Sequence, residues 1–124
     1  MKLHTIGKQY FEFLTEFSNP AVQDVPASFP TLFSPRCRKI VNAKLLCQDV
    51  DEVYMQLLEA KSDFGNHTIT NSKILTEKKK KTCVLYFLLK TPATSYVVTT
   101  LLLVDETGLI TEINDVYNEI GANN

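Results

Sequence analysis

Cys83–Thr91 has the sequence CVLYFLLKT, Ser95–Val104 has SYVVTTLLLV and Leu109–Ile120 has LITEINDVYNEI. These apolar stretches decide the fold, because Val, Leu, Ile, Tyr and Thr fit a pleated, half-buried surface. Only short polar segments separate them, and the second, Asp105–Gly108, is a four-residue loop with glycine where a left-handed backbone is needed. The pattern predicts an antiparallel meander.

Two further strands are predicted upstream of the meander. Asn66–Thr76 alternates and is rich in Thr, and Lys78–Lys81 follows it. Four adjacent lysines cannot be buried, so they predict a solvated hairpin end. Arg36–Cys47 alternates imperfectly, which predicts a first strand at an edge of the sheet.

Three helices are predicted in the first half of the chain. A helix over His4–Phe17 is indicated by large apolar side chains at helical spacing: Ile6, Tyr10, Phe13, Leu14 and Phe17. Ser18-Asn19-Pro20 offers a cap and a proline, which predicts a second, short helix starting near Pro20. Asp49 and Glu52 have the spacing of a capping box, and the third helix should end before Gly65.

The element order is therefore α-α-β-α-β-β-β-β, an α+β arrangement. We expect a curved, mainly antiparallel sheet wrapped around the helices as a cone, with a hollow between sheet and helices. The 124 residues predict one domain, 1–124, because a chain of this length can bury a self-standing core.

Composition excludes several classes of function. A net charge of -1 argues against a protein that binds nucleic acid by neutralising phosphates. The sequence contains neither the apolar run of a membrane helix nor the apolar core of a signal peptide. Cys37, Cys47 and Cys83 lie far apart without a CxxC pair, so we expect buried thiols and no zinc site. We therefore expect a cytoplasmic protein without membrane contact, metal or cofactor.

Two short strings resemble a known group of proteins. Val104–Glu112, VDETGLITE, has a hydrophobic-Asp-x-x-Gly-x-Ile-x-Glu pattern at the last predicted hairpin, and His67–Asn71 has the sequence HTITN. With this element order, the chain resembles the nuclear-transport-factor-2-like superfamily, which includes SnoaL-like polyketide cyclases, ketosteroid isomerases and scytalone dehydratases. The resemblance implies the cone fold.

The resemblance does not imply a ketosteroid isomerase mechanism for this chain, because the residues that this mechanism needs are replaced. Where those enzymes place a general-base Asp late on the first strand, this chain has Val41, next to Asn42. Their second acidic residue falls at Thr100, and the tyrosine of their first helix has no clear counterpart, since Phe13 and Phe17 occupy the nearest positions. Proton abstraction needs a positioned base and enolate stabilisation needs donors, so this chemistry is not predicted.

The last strand resembles SnoaL-like cyclases more closely, through Gly108, Ile110, Glu112 and Asp115. If Tyr117 points into the cone, as the resemblance implies, period-two alternation puts Ile113 and Asp115 on the same inner face. Burial among Ile113, Val98 and Leu102 should raise the pKa of Asp115. Ile113 replaces the usual companion histidine, so His67, on another strand, is the candidate partner.

Two hypotheses about function follow. The first is a small-ligand-binding or protein-interaction module with an apolar pocket, homodimeric through the outer face of the sheet. The second is a cofactor-independent SnoaL-like isomerase, cyclase or dehydratase acting on a hydrophobic cyclic substrate. In the second, Asp115 moves the proton, His67 assists, and Tyr117, Thr100 and Asn42 position an oxygen; Ile113, Leu102 and Val98 complete the pocket.

One geometric criterion separates the two hypotheses. The enzyme requires Asp115 and His67 to face one enclosed cavity of roughly a substrate's width. The sequence leaves open whether that cavity is empty or is filled by phenylalanines, among them Phe11, Phe29, Phe33 and Phe64.

Overall fold

Three helices and six strands make up residues 2–122, the part of the chain that this computed structural model describes. The predicted domain 1–124 also includes Met1, Asn123 and Asn124, which lie outside the described residues. In chain order the elements are α1 (Leu3–Ser18), α2 (Phe29–Leu32), β1 (Phe33–Val41), β2 (Lys44–Cys47), α3 (Val50–Phe64), β3 (Thr68–Glu77), β4 (Thr82–Lys90), β5 (Thr94–Val104) and β6 (Ile110–Ala122).

The six strands form one sheet with the order β2-β1-β6-β5-β4-β3. Strands β3 to β6 pair antiparallel with their sequence neighbours, as the apolar stretches predict. Strand β1 joins β6 in the parallel direction and thereby connects the two halves of the chain. The predicted α+β class, with a curved and mainly antiparallel sheet, is confirmed.

The prediction of one edge strand over Arg36–Cys47 is wrong. The segment is a hairpin in which Val41 pairs with Lys44, and β1 lies inside the sheet between β2 and β6. Asn42 and Ala43 form the turn with φ of 48° and 68°, the left-handed pair that a two-residue hairpin needs. Because Ala43 stands where glycine is usual, the turn has a weak sequence signature, and the predicted element order lacks one strand.

The second helix begins later than predicted. At Pro20 the chain makes a turn, in which Ala21 N donates to Asn19 Oδ1 (2.9 Å) and Val22 N to Asn19 O (3.0 Å). Pro26 then restricts the backbone of the residue before it to extended conformations, which prevents a helix from continuing there. Helix α2 is a single turn, Phe29–Leu32, with a proline in its first turn.

The third helix has its predicted ends. Glu52 N donates to Asp49 Oδ1 (2.9 Å), which is the N-cap bond of the predicted capping box, and Glu52 Oε1 accepts from Gln48 N (2.7 Å), the residue before the cap. Gly65, with φ of 63°, ends the helix. This end positions Phe64, which lines the site described below.

Aromatic rings fill much of the space between the helices and the sheet. Phe13, Phe29 and Phe33 lie with ring centroids 4.8 to 6.1 Å apart, and Phe11 packs on Phe87 at 5.8 Å. All three cysteines are buried and free. None of the described helices has the length and apolarity needed to cross a bilayer.

Candidate functional site

Asp115 lies on the inner face of the sheet, where β6 pairs with β5. It is directly opposite Thr100, and its side chain is almost fully buried, with 3 % of the residue exposed. Thr100 Oγ1 donates to Asp115 Oδ1 over 2.6 Å. The predicted pocket residue Thr100 therefore orients the carboxylate.

Lys39 supplies the opposite charge from the neighbouring parallel strand β1. Its Nζ lies 3.8 Å from Asp115 Oδ2 and donates to Gln56 Oε1 of α3 over 2.6 Å. Lys39 is 4 % exposed, and the pair is the only ion pair in the described part of the chain with both side chains buried. Two strands and one helix thus converge on the carboxylate.

Burial raises the pKa of the Asp115 carboxyl above its ordinary value, because desolvation disfavours the charged form. The Lys39 ammonium and the Thr100 hydrogen bond act in the opposite direction, but the net shift is upward. This is the direction expected from the position of Asp115 in the sequence.

An inner cavity of about 50 Å³ lies next to Asp115. It is lined by apolar side chains and by the polar groups Tyr10, Lys39, Lys61, His67, Asp115 and Tyr117. Asp115 and His67 therefore line one cavity, as the enzyme hypothesis requires. Its volume suffices for about one or two water molecules and not for a cyclic substrate.

His67 is held by its own turn. Its Nδ1 lies 2.9 Å from the carbonyl oxygen of Gly65, and its ring packs 5.5 Å from that of Phe64. This leaves Nε2 as the nitrogen available for a second partner. His67 is thus fixed at the wall of the cavity by local contacts.

A larger groove of about 810 Å³ opens between α3 and the sheet. Phe64, Tyr96 and Tyr117 line it with ring centroids 5.8 to 6.4 Å apart. Four acidic side chains of α3 also line it: Asp51, Glu52, Glu59 and Asp63. The groove is therefore aromatic on one side and negatively charged on the other.

Lys39, Phe64 and Tyr117 line both the groove and the inner cavity, together with Ala60. The rings of Phe64 and Tyr117 stack at 6.1 Å with an interplanar angle of 29°. These side chains form the wall between the two spaces.

The other predicted pocket residues occupy several places. Asn42 is exposed and lines the groove, and its Oδ1 accepts a hydrogen bond from Tyr117 N (2.8 Å). Val98, Leu102 and Ile113 are fully buried in the core and are not among the residues lining the groove or the inner cavity. Within the described chain, no group of three or more His, Cys, Asp or Glu side chains is arranged to hold a metal ion.

Three polar residues of the site were not predicted from the sequence. Lys39 and Gln56 were not singled out, although the alternation of Lys39 with Cys37 indicates a shared face. Tyr10 was assigned only to the apolar stripe of α1. It lines the cavity with Asp115, and burial, followed by the nearby Asp115 charge, raises the pKa of its hydroxyl group.

Solved structures with 11 to 14 % identity share this architecture. An NTF2-like protein from Anabaena variabilis superposes with a TM-score of 0.78, covering 97 % of this chain and 92 % of its own at 14 % identity. The fold is that of the nuclear-transport-factor-2-like superfamily. A SnoaL-like family protein from Agrobacterium tumefaciens superposes on this fold with a TM-score of 0.74 at 11 % identity, covering 95 % of this chain and 99 % of its own.

A third structure with the nuclear-transport-factor-2-like fold comes from Jannaschia and is provisionally named a SnoaL-like polyketide cyclase. It has a TM-score of 0.74 at 12 % identity and covers 92 % of this chain and 86 % of its own. No protein-family model and no curated protein matches the chain. The likeness therefore establishes the fold, and function has to be argued from the site.

Proposed function

We propose that this protein is a small-ligand-binding module whose site is the groove between α3 and the sheet. The observation that carries the proposal is the combination of a volume of about 810 Å³ with three clustered aromatic rings. Ligand sites are concave, mostly apolar and typically several hundred Å³ in volume. The inner cavity, at about 50 Å³, is too small for this role.

Two tryptophan substitutions test the ligand site, because the chain contains no tryptophan of its own. Met55 lines the groove and is 56 % exposed, so Met55→Trp adds a fluorophore there. Gln9 is exposed on α1 and does not line the groove, which makes Gln9→Trp the matched control. The neutral probe N-phenyl-1-naphthylamine should quench the Met55→Trp variant saturably and the control only weakly. Equal quenching, or none in either variant, would overturn the proposal.

The protein-interaction part of the proposal rests on the outer face of the sheet. On that face Leu75, Val84 and Leu101 lie side by side on β3, β4 and β5, and the next row places Tyr86 and Val116 on either side of Thr99. We propose that a second copy of the chain covers this face in a homodimer. A cytoplasmic location without contact to nucleic acid or membrane stays a prediction.

A cofactor-independent isomerase, cyclase or dehydratase is the second candidate. Asp115 and His67 line one cavity with Tyr10 and Tyr117. Asp115 supplies a carboxyl group with a raised pKa, and the two tyrosines supply hydroxyl donors. The Agrobacterium protein has been provisionally named an isomerase, and the Jannaschia protein a polyketide cyclase. Both names favour an isomerase or cyclase for this candidate. A cyclic substrate would enter from the groove past Phe64.

Proton exchange tests the enzyme candidate without a known substrate. Cyclohex-2-enone in D₂O serves as the probe, and NMR follows the loss of its α-proton signals. The wild-type protein should accelerate this exchange, and Asp115→Asn should abolish the acceleration because the variant has no base. An unchanged rate in Asp115→Asn, or no acceleration by the wild type, would exclude this mechanism.

A further inference from the structure

We propose that Lys39 is a carbonyl-condensing amine, which forms an imine with neutral apolar aldehydes that enter the groove. This inference rests on the proposed function, because the aldehyde must occupy the groove first. It assigns a nucleophile to the site, whereas the hypotheses above use Asp115 and His67.

The position of Lys39 is the first reason. Among the residues of the described chain, 2–122, that line the groove, it is the only one with a cationic side chain, and it also lines the inner cavity. Lysine is among the residue types least often buried, and here it is 4 % exposed beside an inner cavity whose lining is mostly aromatic and aliphatic. A desolvated lysine in an apolar pocket is a typical nucleophile toward carbonyl carbon.

The neighbours of the amine are the second reason. Gln56 Oε1 accepts from Nζ at 2.6 Å, which orients the amine, and Asp115 Oδ2 lies 3.8 Å away. Thr100 holds the other carboxylate oxygen of Asp115, so Oδ2 is directed toward Lys39. Cys47, which pairs with Lys39 across the hairpin, is a buried thiol. Asp115 is thus the group placed to exchange a proton with the amine.

The reaction balances without a cofactor. Asp115 accepts a proton from the ammonium, and the free amine of Lys39 attacks the aldehyde carbon to form a C–N bond. Asp115 returns that proton to the resulting oxygen, and the carbinolamine, still protonated on nitrogen, loses one water to give the protonated imine. Hydrolysis by the reverse path releases the aldehyde.

The charge of the groove defines the class of aldehyde. Four carboxylates of α3 line it, and Lys39, its one cation, is already paired with Asp115. An aldehyde that carries a carboxylate would be repelled, whereas a neutral aromatic aldehyde would pack on Phe64, Tyr96 and Tyr117. The site should therefore take neutral aldehydes in preference to anionic ones.

Reductive trapping tests the inference on the folded protein. Benzaldehyde is added with sodium cyanoborohydride, which reduces an imine to a stable benzylamine, and peptide mapping by mass spectrometry locates the added benzyl group. We expect Lys39 to be labelled about tenfold faster than the average of the ten other lysines. Labelling with 4-carboxybenzaldehyde should lose this preference, although its carbonyl is at least as reactive.

Two variants make the outcome decisive. Lys39→Arg keeps the positive charge but cannot form the imine, so the fast-labelled site should disappear while surface labelling persists. Lys90→Arg removes an exposed lysine as the matched control and should leave the fast-labelled site intact. Labelling of Lys39 at or below the rate of surface lysines would overturn the inference. If Met55→Trp still binds N-phenyl-1-naphthylamine in that case, the groove remains a ligand site and only the imine chemistry fails.

Discussion

Asp115 and Lys39 are two ionisable side chains that each depend on the other to be buried. Removing two charges from water costs several kcal/mol per ion, and their attraction offsets this only when both are present and hydrogen-bonded. Here Thr100 and Gln56 provide those hydrogen bonds. Replacing one member of the pair should therefore lower the free energy of unfolding by more than half of the loss caused by replacing both, because the remaining charge is buried without a partner.

A double-mutant cycle measures this dependence. Lys39→Met and Asp115→Leu should each lower the free energy of unfolding by about 3–5 kcal/mol, because each leaves a buried charge without its partner. The double variant should lose much less than the sum. Urea denaturation gives the three values, and additivity within about 0.5 kcal/mol would contradict the expectation. The exposed pair Arg38–Glu112 (3.1 Å) is the control, and its coupling should stay below about 1 kcal/mol.

The stability that Asp115 contributes should depend on pH. Because its pKa is raised in the folded state, that state binds the proton more tightly than the unfolded chain does. The resulting stabilisation is complete below the ordinary value of 3.8 and is lost as the pH rises through the raised pKa. The unfolding free energy of the wild type relative to Asp115→Asn should therefore fall from about pH 4 upward. Urea denaturation at several pH values checks this, and a difference that is constant or rises with pH would contradict it.

At the scale of single residues, sequence patterns identify Asp115 but not its partner. Period-two alternation along one strand places Asp115 on the inner face. The contact with Lys39 depends on the parallel pairing of β1 with β6, which local patterns do not specify. The side chains that decide the chemistry come from distant parts of the chain.

Among the elements, α1 packs unusually closely on the sheet at Gly7. A Cβ atom at this position would lie 2.5 Å from Cys83 Sγ and 3.0 Å from Ile74 Cγ2. Glycine in a helix costs about 1 kcal/mol relative to alanine, so its presence here indicates that close packing outweighs helix propensity. The contact holds α1 against β3 and β4.

Gly7→Ala should therefore destabilise the protein by about 1–3 kcal/mol, although alanine favours a helix. Thermal unfolding followed by circular dichroism measures the change. Gln9→Ala, at an exposed position of the same helix, is the matched control and should be neutral or slightly stabilising. A stability equal to or above that of the wild type for Gly7→Ala would show that Cys83 can move aside.

Elements that are specified by residues close together in sequence could be predicted. A turn whose unfavourable backbone is stabilised by the pairing of its flanking strands could not. The capping box at Asp49 and the Gly65 end of α3 follow from side chains a few residues apart. The β1–β2 turn escaped prediction because Ala43 accepts a left-handed backbone that alanine normally avoids. The pairing of the flanking strands holds it there.

For the whole molecule, the outer face of the sheet predicts self-association. Tyr86, 41 % exposed, lies between Lys73 and Thr99 on this face, next to the row formed by Leu75, Val84 and Leu101. A dimer covering this face should be stable at tens of micromolar, which is ordinary for interfaces of moderate affinity. The α+β class and the antiparallel pairing of β3 to β6 were predicted correctly, because long apolar stretches separated by short turns specify them, whereas β2 was not.

Analytical ultracentrifugation tests the dimer. The wild type should sediment as a dimer at roughly tens of micromolar, and Tyr86→Lys should shift it to monomer by placing a charge in the interface. Met55→Lys puts the same charge on the other surface of the molecule and should leave the dimer intact. A wild type that is monomeric at this concentration would contradict the prediction.

The parallel pairing of β1 with β6 also has a consequence for how the chain folds. Arg38 pairs with Glu112, so the strand at the centre of the sheet closes a loop that spans most of the protein. To form contacts this distant in sequence, the chain must first lose the entropy of closing a long loop, and only then does it gain their favourable energy. Such contacts therefore slow folding. Until β6 has been synthesised, β5 has a free apolar edge and β1 has only its short hairpin partner. During synthesis, the chain should therefore be at greatest risk of aggregation just before its last strand emerges.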